Sequence, residues 1–388
     1  MSAPAIWDFL PQPPAWRVDW AGITDAFAWI RKLQGCTQDP LHHAEGDVHV
    51  HTGMVVAELA ASAGFRAASE VDRLVLFAAA LLHDVCKPET WAKDADGRIT
   101  NTHHSRMGAN EGRQILWRMG MAFASRERAC ALISAHQVPF WLIEQKDTQA
   151  TATLAATSLR VGNDLLALLA EADARGRICA DRERIIENVE LFRELARDRG
   201  CFDVPFPFHS DHARVRYFRD PGTRDPRAEL HDTTDRNFTV TLTSGLPGMG
   251  KSTFIAREIA LGGSMAGQPV VSMDRLRAEM RVRPTDDQGA VRQAALARAR
   301  ELLAARRSFV WDGLNLDRQR RQPLTALCCD YGARVRFAYA EAPEADMLAQ
   351  NAARADPVPR EVVRGMLRKW DPPTLAECHE LALAVRGR

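Results

Sequence analysis

The chain has 388 residues, of which 46% are hydrophobic and 26% are charged, and its net charge is +1. This size and composition predict a globular protein of two or three domains, and the neutral balance argues against tight, extended coating of DNA. Eight scattered cysteines without a CxxC pair exclude a disulfide framework and a thiolate zinc site. No stretch approaches the ~18 apolar residues of a membrane span, and the first residues do not resemble a signal peptide. We therefore expect a soluble, cytoplasmic protein.

The N-terminal half is predicted to be helical. Apolar residues recur at helical spacing in residues 54–63, 71–82, 105–119, 127–134 and 154–169, and a further amphipathic helix is predicted for residues 182–199. Little in this half alternates as a strand does. We expect residues 1–200 to form an all-α domain.

Histidines concentrate in this half, where eight of the twelve lie between His42 and His136. Helices can bring imidazoles and carboxylates from several such positions to one centre, and these ligands without thiolate suit Mn, Fe, Co, Ni or Zn at a hydrolytic site. One or two such ions would generate hydroxide near neutral pH and hold a phosphate. The candidate ligands are His51, His83, Asp84, His104, His136 and Asp173. His49 competes with His51, and His103 competes with His104.

The order of these groups, H…HD…H…H…D, resembles the HD phosphohydrolase superfamily. The segments EADARGR and LLHDVCKP are similar to the HD domains attached to bacterial tRNA nucleotidyltransferases, which act on 2′,3′-cyclic and 2′-phosphate ends. The resemblance implies that Asp84 belongs to the catalytic centre and that Lys87 contacts the substrate phosphate. The superfamily pattern His-x-x-x-Gly-Ala favours His104 over His103.

Residues 201–237 combine prolines, aromatics and arginines without a clear period. Their aromatic content is too high for a plain solvated linker, so we interpret them as an ordered connector. Either the rings pack the connector onto the domains, or they stack on nucleotides.

The last 150 residues alternate between short β-type runs and helical stretches. The runs cover residues 238–243, 269–273, 309–312 and 334–339, and the helices cover residues 252–261, 287–306 and 316–330. This alternation predicts an α/β domain over residues 238–388 with a parallel sheet flanked by helices.

A phosphate-binding loop follows the first of these runs. The sequence GLPGMGKST from Gly245 to Thr253 matches GxxxxGK[ST] between a predicted strand and a predicted helix. Its glycines let backbone N–H groups face phosphates, Lys251 reaches the β- and γ-phosphates, and Ser252 ligates Mg²⁺. The motif predicts binding of ATP, or another nucleoside triphosphate, with Mg²⁺. The nucleotide-binding residues are Gly245, Gly248, Met249, Gly250, Lys251, Ser252 and Thr253.

Two acidic residues follow later strands of this domain. Asp274 ends the second β-run at the sheet edge where ligands bind, so it is a candidate general base, and Arg277 one turn later is a candidate for holding an acceptor phosphate. The alternative is a helix-capping Asp with a surface Arg. Asp312 ends the third β-run, where it either positions Mg²⁺ through water or caps the next helix.

GLPGMGKST followed by SMDRLR resembles the phage-type polynucleotide 5′-kinases. The resemblance implies that Asp274 is the general base, that Arg277 reads the phosphate next to a 5′-OH, and that Arg354 belongs to a C-terminal helical lid. Gln350 stands where that family has a first lid arginine. Another cation would then substitute for it, and the sequence offers Arg318, Arg321 and Arg360.

The two halves together resemble the bacterial HD–Pnk family, from about His42 to His379. This resemblance implies a bifunctional enzyme that heals RNA or DNA ends. It would phosphorylate 5′-OH ends and remove 2′,3′-cyclic phosphates or 2′- and 3′-phosphates, with a functional link to a ligase. One alternative is a nucleotide-pool enzyme that joins an HD nucleotide phosphohydrolase to a small-molecule kinase. The other is a regulatory NTP switch with a degenerate HD site.

Overall fold

A computed structural model describes residues 4–220, 237–283, 286–354 and 356–387. The predicted connector at 201–237 therefore lies partly outside the described residues, over 221–236. The chain divides into two compact units, Met1–Pro207 and Phe208–Arg388. None of the helices in the described ranges is long and apolar enough to cross a bilayer.

The first unit is helical. Short 3₁₀ turns lie at Ile6–Phe9 and Leu142–Glu144, and strands β1 (Ala92–Lys93) and β2 (Ile99–Thr100) form a small antiparallel pair. The helices are α1 (Trp20–Ala26), α2 (Ala28–Arg31), α3 (Val48–Ala61), α4 (Ala63–Ala67), α5 (Glu70–Leu82), α6 (Lys87–Thr90), α7 (His104–Arg118), α8 (Phe123–Ala135), α9 (Val138–Trp141), α10 (Asp147–Ser158), α11 (Asn163–Arg175) and α12 (Arg182–Asp198).

Helix α5 passes through the core of this unit. Ser69 caps its first turn by accepting from the N–H of Asp72, and every residue from Val75 to Leu82 is buried. The buried run ends at the His-Asp pair, so the helix carries these two polar groups into the interior. Helix α3 begins in a similar way, where the Asp47 carboxylate accepts from the N–H of Val50 at 2.9 Å. Such caps fix where each helix starts and therefore which face its histidine occupies.

The predicted helix over residues 154–169 is wrong, because the structure has two helices there. Helix α10 ends at Ser158 and helix α11 begins at Asn163. The buried Asn163 amide donates to the backbone carbonyls of Leu154 at 3.2 Å and Cys201 at 2.6 Å. These bonds stabilise the break, since a buried carbonyl needs a partner.

The second unit is an α/β domain with a parallel sheet, as predicted, but the sheet has five strands where the sequence indicated four. The sheet has the order β4-β5-β3-β6-β7 with every neighbouring pair parallel. Its elements in chain order are α13 (Asp211–Arg219), β3 (Thr239–Ser244), α14 (Lys251–Ala260), β4 (Val270–Ser272), α15 (Met273–Met280), α16 (Gly289–Ala304), β5 (Phe309–Asp312), α17 (Arg318–Asp330), β6 (Arg334–Glu341), α18 (Glu344–Ala352), α19 (Arg360–Leu367) and β7 (Glu380–Val385).

Strand β3 is central, and its residues from Val240 to Ser244 are all buried. A strand covered on both faces is typical of a parallel sheet. From β3 the chain leaves towards the β4 edge, whereas from the adjacent β6 it leaves towards the β7 edge. Such a switch point places a ligand crevice at the carboxyl end of β3.

The predicted connector contributes helix α13 to the second unit. The Arg214 guanidinium donates to the backbone carbonyls of Leu375 at 2.9 Å and Cys378 at 3.2 Å. The rings of Tyr217 and Phe218 are buried. Buried rings favour the packing interpretation of these aromatics over stacking on nucleotides.

Candidate functional site

Five elements of the first unit bring the six predicted metal ligands together. His51 lies on α3, His83 and Asp84 follow α5, His104 begins α7, His136 follows α8 and Asp173 lies on α11. All six side chains are buried. Their ligand atoms form two groups, His51 with His83 and Asp173, and Asp84 with His104 and His136.

Asp84 belongs to the second group and also lies close to the histidines of the first. Its Oδ2 is 3.2 Å from His83 Nε2 and 3.8 Å from His51 Nε2. Its Oδ1 is 3.4 Å from His104 Nε2 and 3.9 Å from His136 Nε2. His51 Nε2 is also 3.2 Å from Asp173 Oδ1. One carboxylate therefore faces all four imidazoles with its two oxygens.

The other ring nitrogen of each histidine is fixed by an acceptor. The Nδ1 atoms of His83, His104 and His136 donate to the backbone carbonyls of Ala80, Asn101 and Ile133 at 2.7–2.8 Å. A carbonyl only accepts, so each of these Nδ1 atoms carries the proton. His51 Nδ1 lies 2.9 Å from the carboxylate of Glu45. All four rings therefore present Nε2 to the centre, the arrangement that metal-binding histidines use.

The electrostatics of this centre fit a divalent cation. Burial opposes ionisation of Asp84, but the charge of Lys87 holds the pKa of Asp84 well below its ordinary value. Burial also lowers the pKa of His136 to about 3, so its ring is neutral. Neither Asp84 Oδ1 nor His136 Nε2 has a hydrogen-bond partner within the described ranges. Buried acceptors without a donor are costly unless a cation satisfies them.

The structure also separates the histidines that sequence could not separate. The His49 ring bonds to Thr24 Oγ1 at 2.9 Å and packs against Trp20, so it lies outside the cluster. His103 is exposed and precedes α7 with a φ of 68°. His51 and His104 are the members of each pair that face Asp84.

Three further side chains support this centre, and sequence reasoning did not select them. The Glu45 carboxylate contacts His51, the Arg177 guanidinium pairs with Asp173 at 2.9 Å, and Gln38 Oε1 accepts from Lys87 Nζ at 2.6 Å. Arg177 could have been found, since it lies one turn after Asp173 in the quoted EADARGR. Glu45 and Gln38 lie in irregular chain that carries no periodic signal.

The P-loop of the second unit lies between β3 and α14, as its motif requires. Gly245 and Gly248 adopt φ values of 143° and 81°, which favour glycine. A side chain on Gly245 would meet the carbonyl of Ala340 on β6, and one on Gly248 would meet the carbonyl of Met347 on α18. Glycine is therefore required both for conformation and for close packing.

Lys251 begins α14 and lies over this loop. Its Nζ donates to the carbonyls of Gly245 at 2.8 Å and Leu246 at 3.0 Å. Burial lowers the pKa of Lys251 to about 8, and the nearby charge of Asp312 opposes that shift. Ser252 and Thr253, the next two residues of the motif, are exposed. The two loop carbonyls thus hold the lysine ammonium over the P-loop.

Asp312 lies at the carboxyl end of β5, next to β3. It accepts from Thr243 Oγ1 at 3.3 Å and from Ser272 Oγ at 3.2 Å. The alternative that Asp312 caps the following helix is wrong, because Asp317 caps α17 by accepting from the N–H of Arg320. Asp312 therefore faces the strand ends that surround the P-loop.

Asp274, Arg277 and Arg354 meet at the same edge of the sheet. Asp274 Oδ1 pairs with Arg277, and Asp274 Oδ2 accepts from Arg354 Nη2 at 3.2 Å. Arg354 also contributes to the lowered pKa of Lys251, which ties this cluster to the P-loop. Asp274 is not the cap of α15, since Ser272 holds that position.

Arg321 does not fit the expected role of a lid cation. That side chain is buried, pairs with Glu377 at 2.8 Å and donates to the backbone carbonyls of Asn315 and Asp371. Arg318 and Arg360 are exposed at the first residues of α17 and α19.

A different arginine lies at the P-loop. A side-chain carbon on Gly250 would lie 3.7 Å from Arg386 Nη2 and 3.9 Å from the Gln350 amide. Arg386 follows β7, a strand that the sequence did not predict.

Comparison with known proteins agrees with this division. Residues 49–174 match the HD domain family, and residues 240–373 match the AAA domain family. The chain thus carries an HD phosphohydrolase-type domain followed by a P-loop, kinase-like domain. The A-adding tRNA nucleotidyltransferase of Deinococcus radiodurans is 34% identical over 169 residues, which are 43% of this chain and 36% of that protein. The chain spans about a third of the length of this curated relative.

Proposed function

We propose that this chain is a bifunctional end-healing enzyme. Its second domain phosphorylates the 5′-hydroxyl of a nucleic acid, and its HD domain removes a 2′,3′-cyclic phosphate or a 2′- or 3′-phosphate. The observation that carries the proposal is the grouping of Asp274 with Arg277 and Arg354 beside the P-loop lysine. This grouping supplies a base and two phosphate-binding cations at one sheet edge. It also agrees with the proposed relation to the HD–Pnk family.

In the kinase site, Asp274 accepts the proton of the attacking hydroxyl. Arg277, which pairs with Asp274, is proposed to bind the phosphate on the 3′ side of the acceptor nucleotide when a nucleic acid end is bound. Lys251 exchanges its two carbonyl partners for the β- and γ-phosphates of ATP, and Ser252 would hold the Mg²⁺ that neutralises part of their charge. Asp312, which accepts from the Thr243 and Ser272 hydroxyls, would contribute negative charge to a Mg²⁺ site there. Protein groups thus surround the reacting phosphate on both sides.

We assign the charge at the γ-phosphate to Arg354 and Arg386. Arg354 approaches from the end of α18, and Arg386 approaches Gly250 from the end of β7. Two cations from separate elements would then replace the two-arginine lid. The amide oxygen Oε1 of Gln350 also lies near Gly250, and this atom accepts hydrogen bonds, so Gln350 does not supply the missing charge.

In the HD site, two divalent transition metal ions fit the two ligand groups that Asp84 joins. When bound, such ions lower the pKa of a water molecule and draw negative charge from a phosphate. Glu45 orients His51, Arg177 orients Asp173, and Lys87 lies 2.7 Å from Asp84 Oδ2, where it can hold a phosphate oxygen. The carbonyls that fix the Nδ1 atoms keep the four rings in the ligand tautomer.

The two reactions are complementary. A ribonuclease break leaves a 2′,3′-cyclic phosphate on one side and a 5′-OH on the other. Removing the first and phosphorylating the second produces ends that a ligase can seal, which makes nucleic acid ends the substrates and a ligase the functional partner.

The alternative is a nucleotide-pool enzyme, which the net charge of +1 favours. A 5′-OH oligonucleotide with a 2′,3′-cyclic end should be compared with free nucleosides and deoxynucleoside triphosphates as substrates of the full chain. End healing predicts transfer from ATP to the oligonucleotide and loss of its cyclic phosphate. Efficient reaction of the monomers with none at the oligonucleotide ends would establish the pool enzyme instead. A protein that holds neither metal nor activity would be the regulatory switch.

A further inference from the structure

A short segment that precedes the HD match packs against the candidate metal centre. The match begins at residue 49, whereas Cys36 to Glu45 precede it. The Thr37 backbone bridges to Asp47, and its carbonyl accepts from Trp91 Nε1 at 3.1 Å. At the far end Glu45 contacts His51 at 2.9 Å. The segment is thus fixed at both ends, and Gln38 points inward from it with 5% of its surface exposed.

The orientation of the Gln38 amide follows from its neighbour. Lys87 Nζ lies 2.6 Å from one amide atom of Gln38. An ammonium only donates, so the atom that faces it is the oxygen Oε1. The amino group Nε2 must then face the other way, where it is buried and has no hydrogen-bond partner among the residues that the structure describes. A buried amino group with two unused N–H bonds is unfavourable unless a ligand accepts from it.

Lys87 Nζ has two acceptors among the residues that the structure describes. Its Nζ pairs with Asp84 Oδ2 at 2.7 Å and with Gln38 Oε1 at 2.6 Å. An ammonium has three N–H bonds, so one remains for a substrate. Lys87 and Gln38 together present donors beside the carboxylate that joins the two ligand groups. An acceptor rich in oxygen, such as a phosphate, matches this pair.

We infer that Gln38 is a substrate-binding residue of the HD site, whose Nε2 donates to a non-bridging phosphate oxygen while its Oε1 holds Lys87 for the same phosphate. The inference rests on the proposed phosphohydrolase function of this domain. One of the two proposed phosphate-binding residues, Gln38, therefore precedes the residues that match the HD family. A domain cut at residue 49 would lack it.

Phosphate binding tests this directly. Gln38→Glu keeps an oxygen for Lys87 but replaces the donating amino group with a second oxygen that repels an anion. Inorganic phosphate should be titrated by calorimetry into the Mn²⁺-loaded full chain carrying Lys251→Met, which removes the phosphate-binding lysine of the P-loop, so that the HD site is observed. We expect Gln38→Glu and Gln38→Met to weaken binding by about tenfold to a hundredfold, the usual cost of losing a hydrogen bond to a charged group. Gln34→Glu, at an exposed position of the same region, should leave the affinity unchanged.

Hydrolysis of 2′,3′-cyclic AMP separates substrate binding from metal binding. The Gln38 variants should raise KM by a similar factor, with a smaller change in kcat and an unchanged Mn²⁺ content by elemental analysis. Loss of metal from the variants would show that Gln38 supports the metal centre, and wild-type phosphate affinity in Gln38→Glu would show that it contacts no phosphate. Either result overturns the inference. If the wild type hydrolyses no phosphoester, the proposed function fails, while the phosphate titration still decides the role of Gln38.

Discussion

Lys251 should destabilise the nucleotide-free kinase domain. Burial lowers the pKa of Lys251 from 10.5 to about 8. At 1.36 kcal/mol per pKa unit, keeping the ammonium charged at pH 7 costs the folded state about 3 kcal/mol. Lys251→Met removes that cost, but it leaves the carbonyls of Gly245 and Leu246 without their donor at roughly 1 kcal/mol each. We expect the variant to be more stable by about 1 kcal/mol, although it should lose kinase activity.

The pH dependence has a definite sign. Below pH 8 the folded and unfolded states both hold the Lys251 proton, so the cost is constant. Between about pH 8 and pH 10.5 the folded state releases the proton while the unfolded state keeps it, so the wild-type stability rises with pH. The stability difference between Lys251→Met and wild type should therefore shrink across this interval.

Differential scanning calorimetry of the full chain without nucleotide provides the measurement. The transition of the kinase domain can be recognised because an ATP analogue raises it in the wild type. A gain of about 1 kcal/mol corresponds to an increase in midpoint of roughly 2–4 °C for a domain of this size. Lys369→Met, at an exposed position of the same domain, is the control and should not change the midpoint. A lowered midpoint, or a difference that grows between pH 8 and pH 10, would refute the reasoning.

The remaining predictions concern the two reactions. Asp84→Asn should abolish phosphohydrolase activity and reduce metal content, while 5′-kinase activity stays near wild type; loss of both activities in folded protein would contradict separate sites. Asp274→Asn should lower kinase turnover by on the order of 10²–10⁴ with ATP affinity retained, and turnover within a few-fold of wild type would place the base elsewhere. Arg386→Gln should lower kinase kcat by about tenfold or more with little effect on the KM for a 5′-OH oligonucleotide. Arg318→Gln is the matched control. A larger loss of kinase kcat in Arg318→Gln than in Arg386→Gln would show that Arg318, not Arg386, supplies the second cation at the γ-phosphate.

The fold could be predicted from sequence where one physical signal dominates. The P-loop motif requires a strand before it and a helix after it, and the structure places it between β3 and α14 as expected. Strand β7 was missed because it lies at the sheet edge and is half exposed, so its apolar pattern is weak. Missing β7 also hid Arg386, whose approach to Gly250 depends on that strand.

Only part of the candidate metal centre could likewise be predicted from sequence. The six proposed ligands could be selected from sequence, since their types and order resemble the HD superfamily and the histidines stand at predicted helix ends. Their supporting partners could not, because Gln38 and Glu45 lie in irregular chain and reach the centre only through the fold. The break between α10 and α11 was also invisible, since it depends on the bond from Asn163 to Cys201, 38 residues away.

The two candidate sites differ in how they hold charge before substrate arrives. The HD centre gathers buried acceptors around Asp84 and leaves Asp84 Oδ1 and His136 Nε2 without donors within the described residues, so it favours a bound cation. In the candidate kinase site, Asp274 pairs with two arginines, and the Lys251 ammonium donates to two backbone carbonyls. These charged groups already have partners, so they must exchange them when substrates bind. Metal should therefore remain in the first domain between turnovers, whereas ATP, Mg²⁺ and the acceptor should enter and leave the second.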